Sequence, residues 1–481
     1  MYRFHPIESL RNLTTALLVL LATVILPISM DNGYFNIVDT KAAVFMWVGG
    51  VLAVSALAFL IFSSKTDRRK LSALDIIIIV FVGAVIVSTF LSESVELCTF
   101  GTTGWGVGTL TLTILAVIYF YFSRCAEVKP GMLAPMFVVN ALLLILGILH
   151  AAQVDVFELH VRVAEIDKYS YLSLYGSKNQ TTIILILLFA LAFGIYISAK
   201  SFKLRVWLLA FIFLNFMGIV VATSDSAFAA LGVMAAFAIP YICEESERIK
   251  RVFPVIGLYG LSLLLVSLLP CFSIWLEHME GVSRTVTNPL IGAAILFVGA
   301  AGYAALAVPK VTVPVKARKL LCIVLEAVII LAAGFFLIKT IGEYNDSWGT
   351  NRGLIWNGSW KLFTEDFTLK EKLIGIGPEM LSSVYDDITA SMWMRVNAAH
   401  SDFLQVLLSY GIVGAVTWGA FWTAIIVPFF KKKIYKSNLI IAFLPIICFF
   451  AQGFFNTSAV MPLLFFVVAL GVFEKQKQQE A

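Results

Sequence analysis

Apolar residues run in long blocks separated by short polar breaks along nearly the whole chain, and the blocks have the length of membrane spans. A helix rises about 1.5 Å per residue, so roughly 20 apolar residues cross the hydrocarbon core of a bilayer. Fourteen windows meet that need, with cores at 13–29, 42–62, 73–91, 106–122, 131–149, 181–199, 204–222, 227–243, 255–274, 290–308, 320–339, 402–429, 438–456 and 459–473. The first, fourth, eighth and last are the shortest. The pattern predicts an all-α, polytopic bundle of about 12–14 spans, interrupted by one long polar run at 341–400. The chain therefore divides into spans 1–11 (1–340), a large loop (341–400) and spans 12–14 (401–481).

Composition agrees: 60% of the 481 residues are hydrophobic and 14% charged, against about 25% charged in soluble domains. Basic residues concentrate at every second break, from Arg11 through Lys70, Arg124, Lys200, Arg248, Lys316 and Lys431 to Lys475, and 24 of the 35 lie on that side. Because cytoplasmic loops collect lysine and arginine, both termini are expected in the cytoplasm and the 341–400 loop outside, in a plasma or inner membrane. The net charge of +5 is then a sign of topology and not a nucleic-acid footprint. The first span lacks a convincing cleavage site and reads as a retained anchor. Of six cysteines, only Cys98 and Cys271 are expected on the outer side, where isolated thiols are more often unpaired than bridged.

The 341–400 loop is the place to look for chemistry. It holds four of the ten tryptophans (Trp348, Trp356, Trp360, Trp393), together with Arg352, Arg395 and His400. Aromatic faces stack on sugar rings, guanidinium grips phosphate and imidazole moves protons. Residues 351–366 predict an amphipathic helix with Asn351 as N-cap, Arg352 and Trp356 on one face, and Trp360 and Phe363 continuing the spacing. The alternative for these aromatics is anchorage at the headgroup level. Gly375-Ile376-Gly377-Pro378 predicts a turn, a helix is expected from His400-Ser401-Asp402 onward, and Gly411 and Gly414 mark a break or close packing in it. A second long loop, 151–180, ends in the turn-rich Tyr175-Gly176-Ser177-Lys178-Asn179-Gln180.

Three of these motifs carry a resemblance. Asn351-Arg352-Gly353-Leu354-Ile355-Trp356, then Gly375-Ile376-Gly377-Pro378, then Ala399-His400-Ser401-Asp402-Phe403-Leu404-Gln405 with Tyr410-Gly411, is similar in order and spacing to the signature of the O-antigen ligase and polymerase family. Thr223-Ser224-Asp225-Ser226-Ala227 resembles a short outer turn of that family. The resemblance implies transfer of a glycan from an undecaprenyl-diphosphate-linked donor to an acceptor sugar at the outer face, with neither metal nor cofactor. It implies that Arg352 grips the lipid diphosphate and His400 activates the acceptor hydroxyl; Arg395, Trp356, Trp360 and Asn179 are the substrate-binding candidates beside them. One position departs: many members carry arginine after the serine of the short turn, where this chain has Asp225, so that either another cation, with Arg395 the candidate, completes the grip or the donor is handled differently.

Other readings remain open. A transporter or lipid-linked oligosaccharide flippase suits the span count, yet it would place ionisable residues at mid-membrane, where Glu326 is the clearest exception to apolar cores. A non-catalytic scaffold is the third. His150, His160 and His278 lack a motif and read as surface residues, and Asp386-Asp387 reads as solvated in preference to metal-binding. No phosphate loop, zinc spacing, nucleophile elbow or dinucleotide fingerprint occurs, so the energy for a reaction would come from an activated substrate.

Overall fold

The computed structural model describes residues 6–63, 70–102, 104–164, 168, 170–269, 288–307, 311–384, 396 and 398–480. Among them, eleven helices are long and apolar enough to cross a membrane. In chain order the helices are α1 (Ile7–Ile28), α2 (Ile37–Phe62), α3 (Ala73–Phe90), α4 (Thr109–Arg124), α5 (Pro130–Ala151), α6 (Lys178–Ser198), α7 (Phe202–Ala222), α8 (Asp225–Cys243) and α9 (Ser246–Ser267). They continue with α10 (Pro289–Leu306), α11 (Val315–Glu343), the loop helix α12 (Trp348–Lys361), α13 (Asp402–Lys431), α14 (Ile440–Gly453) and α15 (Val460–Gln479). Each of the fourteen windows falls on one of them. α4 and α14 are shorter apolar helices, and α15 ends in the polar run Glu474-Lys475-Gln476-Lys477. The protein is a multi-pass, all-α membrane protein. Its one sheet among the described residues is a two-stranded hairpin, Tyr171–Leu172 against Gly176–Ser177.

Local chemistry fixes several helix ends. Ser72 and Asp75 form a reciprocal capping box at the start of α3, and Ser177 caps α6 by accepting from Gln180 N. α6 is the central element, 83% of its apolar window being buried, whereas for α11 the figure is 0%. α10 packs on α9 through glycines: a Cβ on Gly260 would lie 2.3 Å from Leu296 N, so only the bare backbone allows the approach.

Hydrogen bonds sort the bundle into two ends. At one, Tyr121 donates to Arg11 O, Tyr119 to Asp75, Arg124 to Asp75 and Lys475 to Ala126 O. This is the basic end. At the other lie the described parts of the 151–180 and 341–400 segments, here termed the loop end. Lys41 is buried there, and its ammonium donates to the carbonyls of Leu26, Pro27 and Ser29 at 2.6, 2.9 and 3.0 Å. It thus satisfies the open carbonyls at the end of α1.

Two expectations at the loop end are corrected. His150 is buried and His160 half-buried, so neither is a surface residue; both are drawn in by Asp155, whose carboxylate faces His150 Nε2 at 3.5 Å and His160 Nδ1 at 3.0 Å. Asn351 does precede the right-handed part of α12, but as the last of three left-handed residues, Gly349, Thr350 and Asn351 (φ 61°, 61° and 67°). An N-cap takes extended backbone. Here the chain must reverse, because Gly353 packs so closely on Asn345 that a Cβ would lie 1.9 Å from its carbonyl oxygen. Cys98 is a free, buried thiol that donates to Ser92 Oγ at 3.2 Å. Cys271, His278, Asp386, Asp387, Trp393 and Arg395 lie outside the described residues.

Candidate active site at the loop end

Arg352 opens the right-handed part of α12 and turns inward. Its Nε donates to Phe455 O at 2.9 Å, one terminal nitrogen to Gly349 O at 2.8 Å and the other to Asn456 Oδ1 at 3.3 Å. Gly349 can present that carbonyl because the left-handed turn brings residue 349 back over residue 352. Asn456 is itself held: its Nδ2 donates to Ser226 Oγ at 3.2 Å and to Gln452 Oε1 at 2.8 Å, and Gln452 Nε2 donates to Ser226 O at 3.1 Å. The guanidinium therefore joins α12, the start of α8 and the α14–α15 turn. Burial lowers its pKa from the ordinary value, and the carboxylate of Asp225 opposes that shift. A guanidinium stays charged under such a push.

His400 precedes α13 with left-handed backbone (φ 48°), and its neighbours hold it there. Ala399 N donates to Gln405 Oε1 at 3.0 Å, and Ala399 O accepts from the Trp356 indole at 3.2 Å. The imidazole meets the ring of Trp105 edge-on, with centroids 6.4 Å apart. Among the described residues, nothing hydrogen-bonds its nitrogens. Burial, and then the positive charge of Arg352, push its pKa down to about 4. At neutral pH the ring is uncharged and able to accept a proton. Asp402, two residues on, accepts from Ser458 N at 3.3 Å and ties the start of α13 to the same turn that holds Arg352.

The two glycine motifs meet beneath this site. α13 breaks at Gly411 (φ 63°, ψ −159°), which frees the carbonyls of Leu408 and Ser409 from the helix. Ile376 N and Gly377 N take them at 3.1 and 3.0 Å. A Cβ on Gly375 would lie 2.2 Å from Ser409 C, and one on Gly411 2.4 Å from Leu373 C. Both glycines are needed for the crossing. Glu379, just past this turn, accepts from Thr102 N, Thr102 Oγ1 (2.7 Å) and Val107 N (2.5 Å). Burial raises its pKa, against the lowering effect of these bonds. Glu379 thereby holds the 101–108 segment, which presents Trp105 to His400.

The sequence candidates thus separate. Arg352 and His400 come together, close enough for one charge to act on the other. Trp356 is half-buried and its N–H donates to Ala399 O, which holds the backbone beside His400. Trp360 is 54% exposed and remains free to meet a sugar or a headgroup. Asn179 is half-buried in the first turn of α6, between Lys178 and Gln180. Gln180 bridges Thr457 O (3.0 Å) and Ala459 N (3.3 Å). Gln452, Asn456, Glu379 and Trp105 were not singled out from sequence. Gln452 and Asn456 could have been, as polar residues closing the otherwise apolar 438–456 window; Glu379 and Trp105 carry no such signal. No protein-family model matches this chain, and no curated protein matches it.

Proposed function

We propose that this protein is an integral-membrane glycosyltransferase of the O-antigen ligase and polymerase type. It would move a glycan from an undecaprenyl-diphosphate donor to an acceptor sugar at the outer face, in cell-surface polysaccharide biosynthesis. The observation that carries the reading is the pairing of a fixed cation, Arg352, with a neutral base, His400, whose ring nitrogens are unbonded among the described residues, at one end of a membrane bundle. The excess of basic residues at the opposite end supports the outward placement of this one.

In the reaction, the acceptor hydroxyl attacks the anomeric carbon of the donor sugar and the bond from that carbon to the diphosphate oxygen breaks. Undecaprenyl diphosphate leaves with the bonding pair, and the hydroxyl proton passes to His400 and then to water. Arg352 stabilises the charge that develops on the leaving group. A base with a pKa of about 4 is weak for this work, but the depression has a removable part. A diphosphate beside Arg352 offsets the charge acting on His400 and moves the imidazole toward the neutral range that suits general bases.

The test is glycan transfer by purified protein in liposomes, with a polyprenyl-diphosphate oligosaccharide donor and acceptor glycan. Product from the native chain and its loss in a folded His400→Ala variant supports the reading. Equal product from both removes His400 from the mechanism, and no product from either moves the weight to the flippase.

A further inference from the structure

Arg352 is a poor diphosphate site by itself, because the Asp225 carboxylate lies close enough to act on it. An incoming diphosphate would meet that carboxylate as well as the guanidinium. A second cation stands at the same turn. Lys178, in the first turn of α6, donates from Nζ to Thr223 Oγ1 at 3.0 Å. Thr223 is the left-handed residue (φ 52°) that ends α7 two positions before Asp225. From there the contacts run on: Ser224 Oγ to Ser226 Oγ at 2.9 Å, Ser226 Oγ to Asn456 Nδ2, and Asn456 Oδ1 to Arg352. Two residues after Lys178, Gln180 fastens the start of α6 to Thr457 and Ala459, on the turn whose Phe455 carbonyl holds Arg352. Lys178 and Arg352 thus approach the 223–226 turn from opposite elements.

What Lys178 lacks is as informative. Among the described residues no carboxylate pairs with it, although it is half-buried. An ammonium has three donors, and here a neutral hydroxyl takes one. Lys41, at the same end, has all three directed at backbone carbonyls and is a structural cap. A partly desolvated cation without a counter-charge calls for an anion.

We propose that Lys178 is the second cation of the donor site, binding the lipid diphosphate together with Arg352. The inference rests on the transferase reading. It is tested by the affinity of purified protein in nanodiscs for undecaprenyl diphosphate, with undecaprenol as the uncharged control. Native chain, Lys178→Gln and Lys178→Arg are compared, each with a melting curve. The native chain should prefer the diphosphate over undecaprenol. Lys178→Gln should weaken diphosphate binding by about tenfold or more, as the loss of a charge-assisted hydrogen bond implies, and Lys178→Arg should restore it to within about threefold. Tight diphosphate binding by the native chain that Lys178→Gln leaves unchanged overturns the role of Lys178 and spares the transferase reading. A native chain that does not distinguish the diphosphate from undecaprenol overturns both. Failure of Lys178→Arg to restore binding in a chain that melts like the native one also overturns the role.

Discussion

His150 and His400 lie at the same end of the bundle and are treated oppositely by their surroundings. His150 Nδ1 accepts from Ser173 N at 3.2 Å and meets the Tyr34 hydroxyl at 3.0 Å. Accepting there leaves the ring proton on Nε2, which faces Asp155. Tyr34 in turn stacks on Tyr171 with centroids 4.9 Å apart and abuts His160 at 4.8 Å. The ring is a strut that closes the 151–180 segment onto α1–α2. His400 is positioned through its backbone, by Gln405 and Trp356 acting on Ala399, and by the edge of Trp105 against its ring, whose nitrogens are left without a hydrogen bond among the described residues. On the proposed function, what suits His400 to proton transfer is that its backbone is placed while its ring nitrogens are left unbonded among the described residues.

That contrast predicts opposite variants. His400→Ala should lower transfer by about 100-fold or more, the usual weight of a general base, with no loss of thermal stability. His150→Ala should do the reverse. It strands the buried Ser173 N–H and costs about 1–3 kcal/mol, seen as a lower melting temperature, while transfer per folded molecule stays near native. A His150→Ala chain that melts normally and transfers nothing would break the comparison.

Arg352 extends it to a residue that is fixed by its bonds and that the proposed function also puts to work. Lysine at 352 would keep the charge but could not reach Phe455 O, Gly349 O and Asn456 together, since an ammonium lacks the planar fork. Arg352→Lys should lower kcat/KM by about tenfold or more. Activity at the native level would mean that only the charge matters and that the network around Asn456 is structural.

The spans were legible because a membrane imposes one rule, apolar length, and each of the fourteen windows falls on a helix of the described residues. The loop helix was nearly legible as well, ending at Asp366 through a π-helical last turn, since Trp356, Trp360 and Phe363 keep helical spacing. Its start was misread in kind: three consecutive left-handed residues answer to the packing of Gly353 on Asn345, a contact that local propensity does not encode. Glu379 and Trp105 were invisible for a related reason. They are separated by more than 270 positions, and Glu379 acts on backbone N–H groups, which carry no residue signature. Trp356 was seen as well, but not its bond to Ala399 O, because helical spacing reports which face a residue occupies and not which atom meets its indole.

The proton on His400 gives a sharper test. Its folded pKa of about 4 lies below the roughly 6.5 of an unfolded chain. The ring therefore resists protonation in the fold, and its stability contribution falls as pH drops from about 6.5 to about 4 and is constant below. His400→Ala should flatten the melting temperature across that window. In transfer assays, kcat/KM reports the free enzyme and kcat the loaded one. The acid limb of kcat/KM should fall at a lower pH than that of kcat, because bound diphosphate offsets Arg352. Coincident limbs would mean that donor charge does not reach His400.

The smallest effect is expected at Asp225. Its carboxylate favours the Arg352 charge and would repel a diphosphate at the same place. Asp225→Asn removes the repulsion and keeps a side chain of similar size. If both charges are partly screened, as at an interface open to water, the donor KM should fall by about threefold with kcat little changed. A rise in KM would reverse the assignment: Asp225 would then serve by orienting Arg352 and Lys178, and its negative charge would belong to the site instead of opposing the substrate.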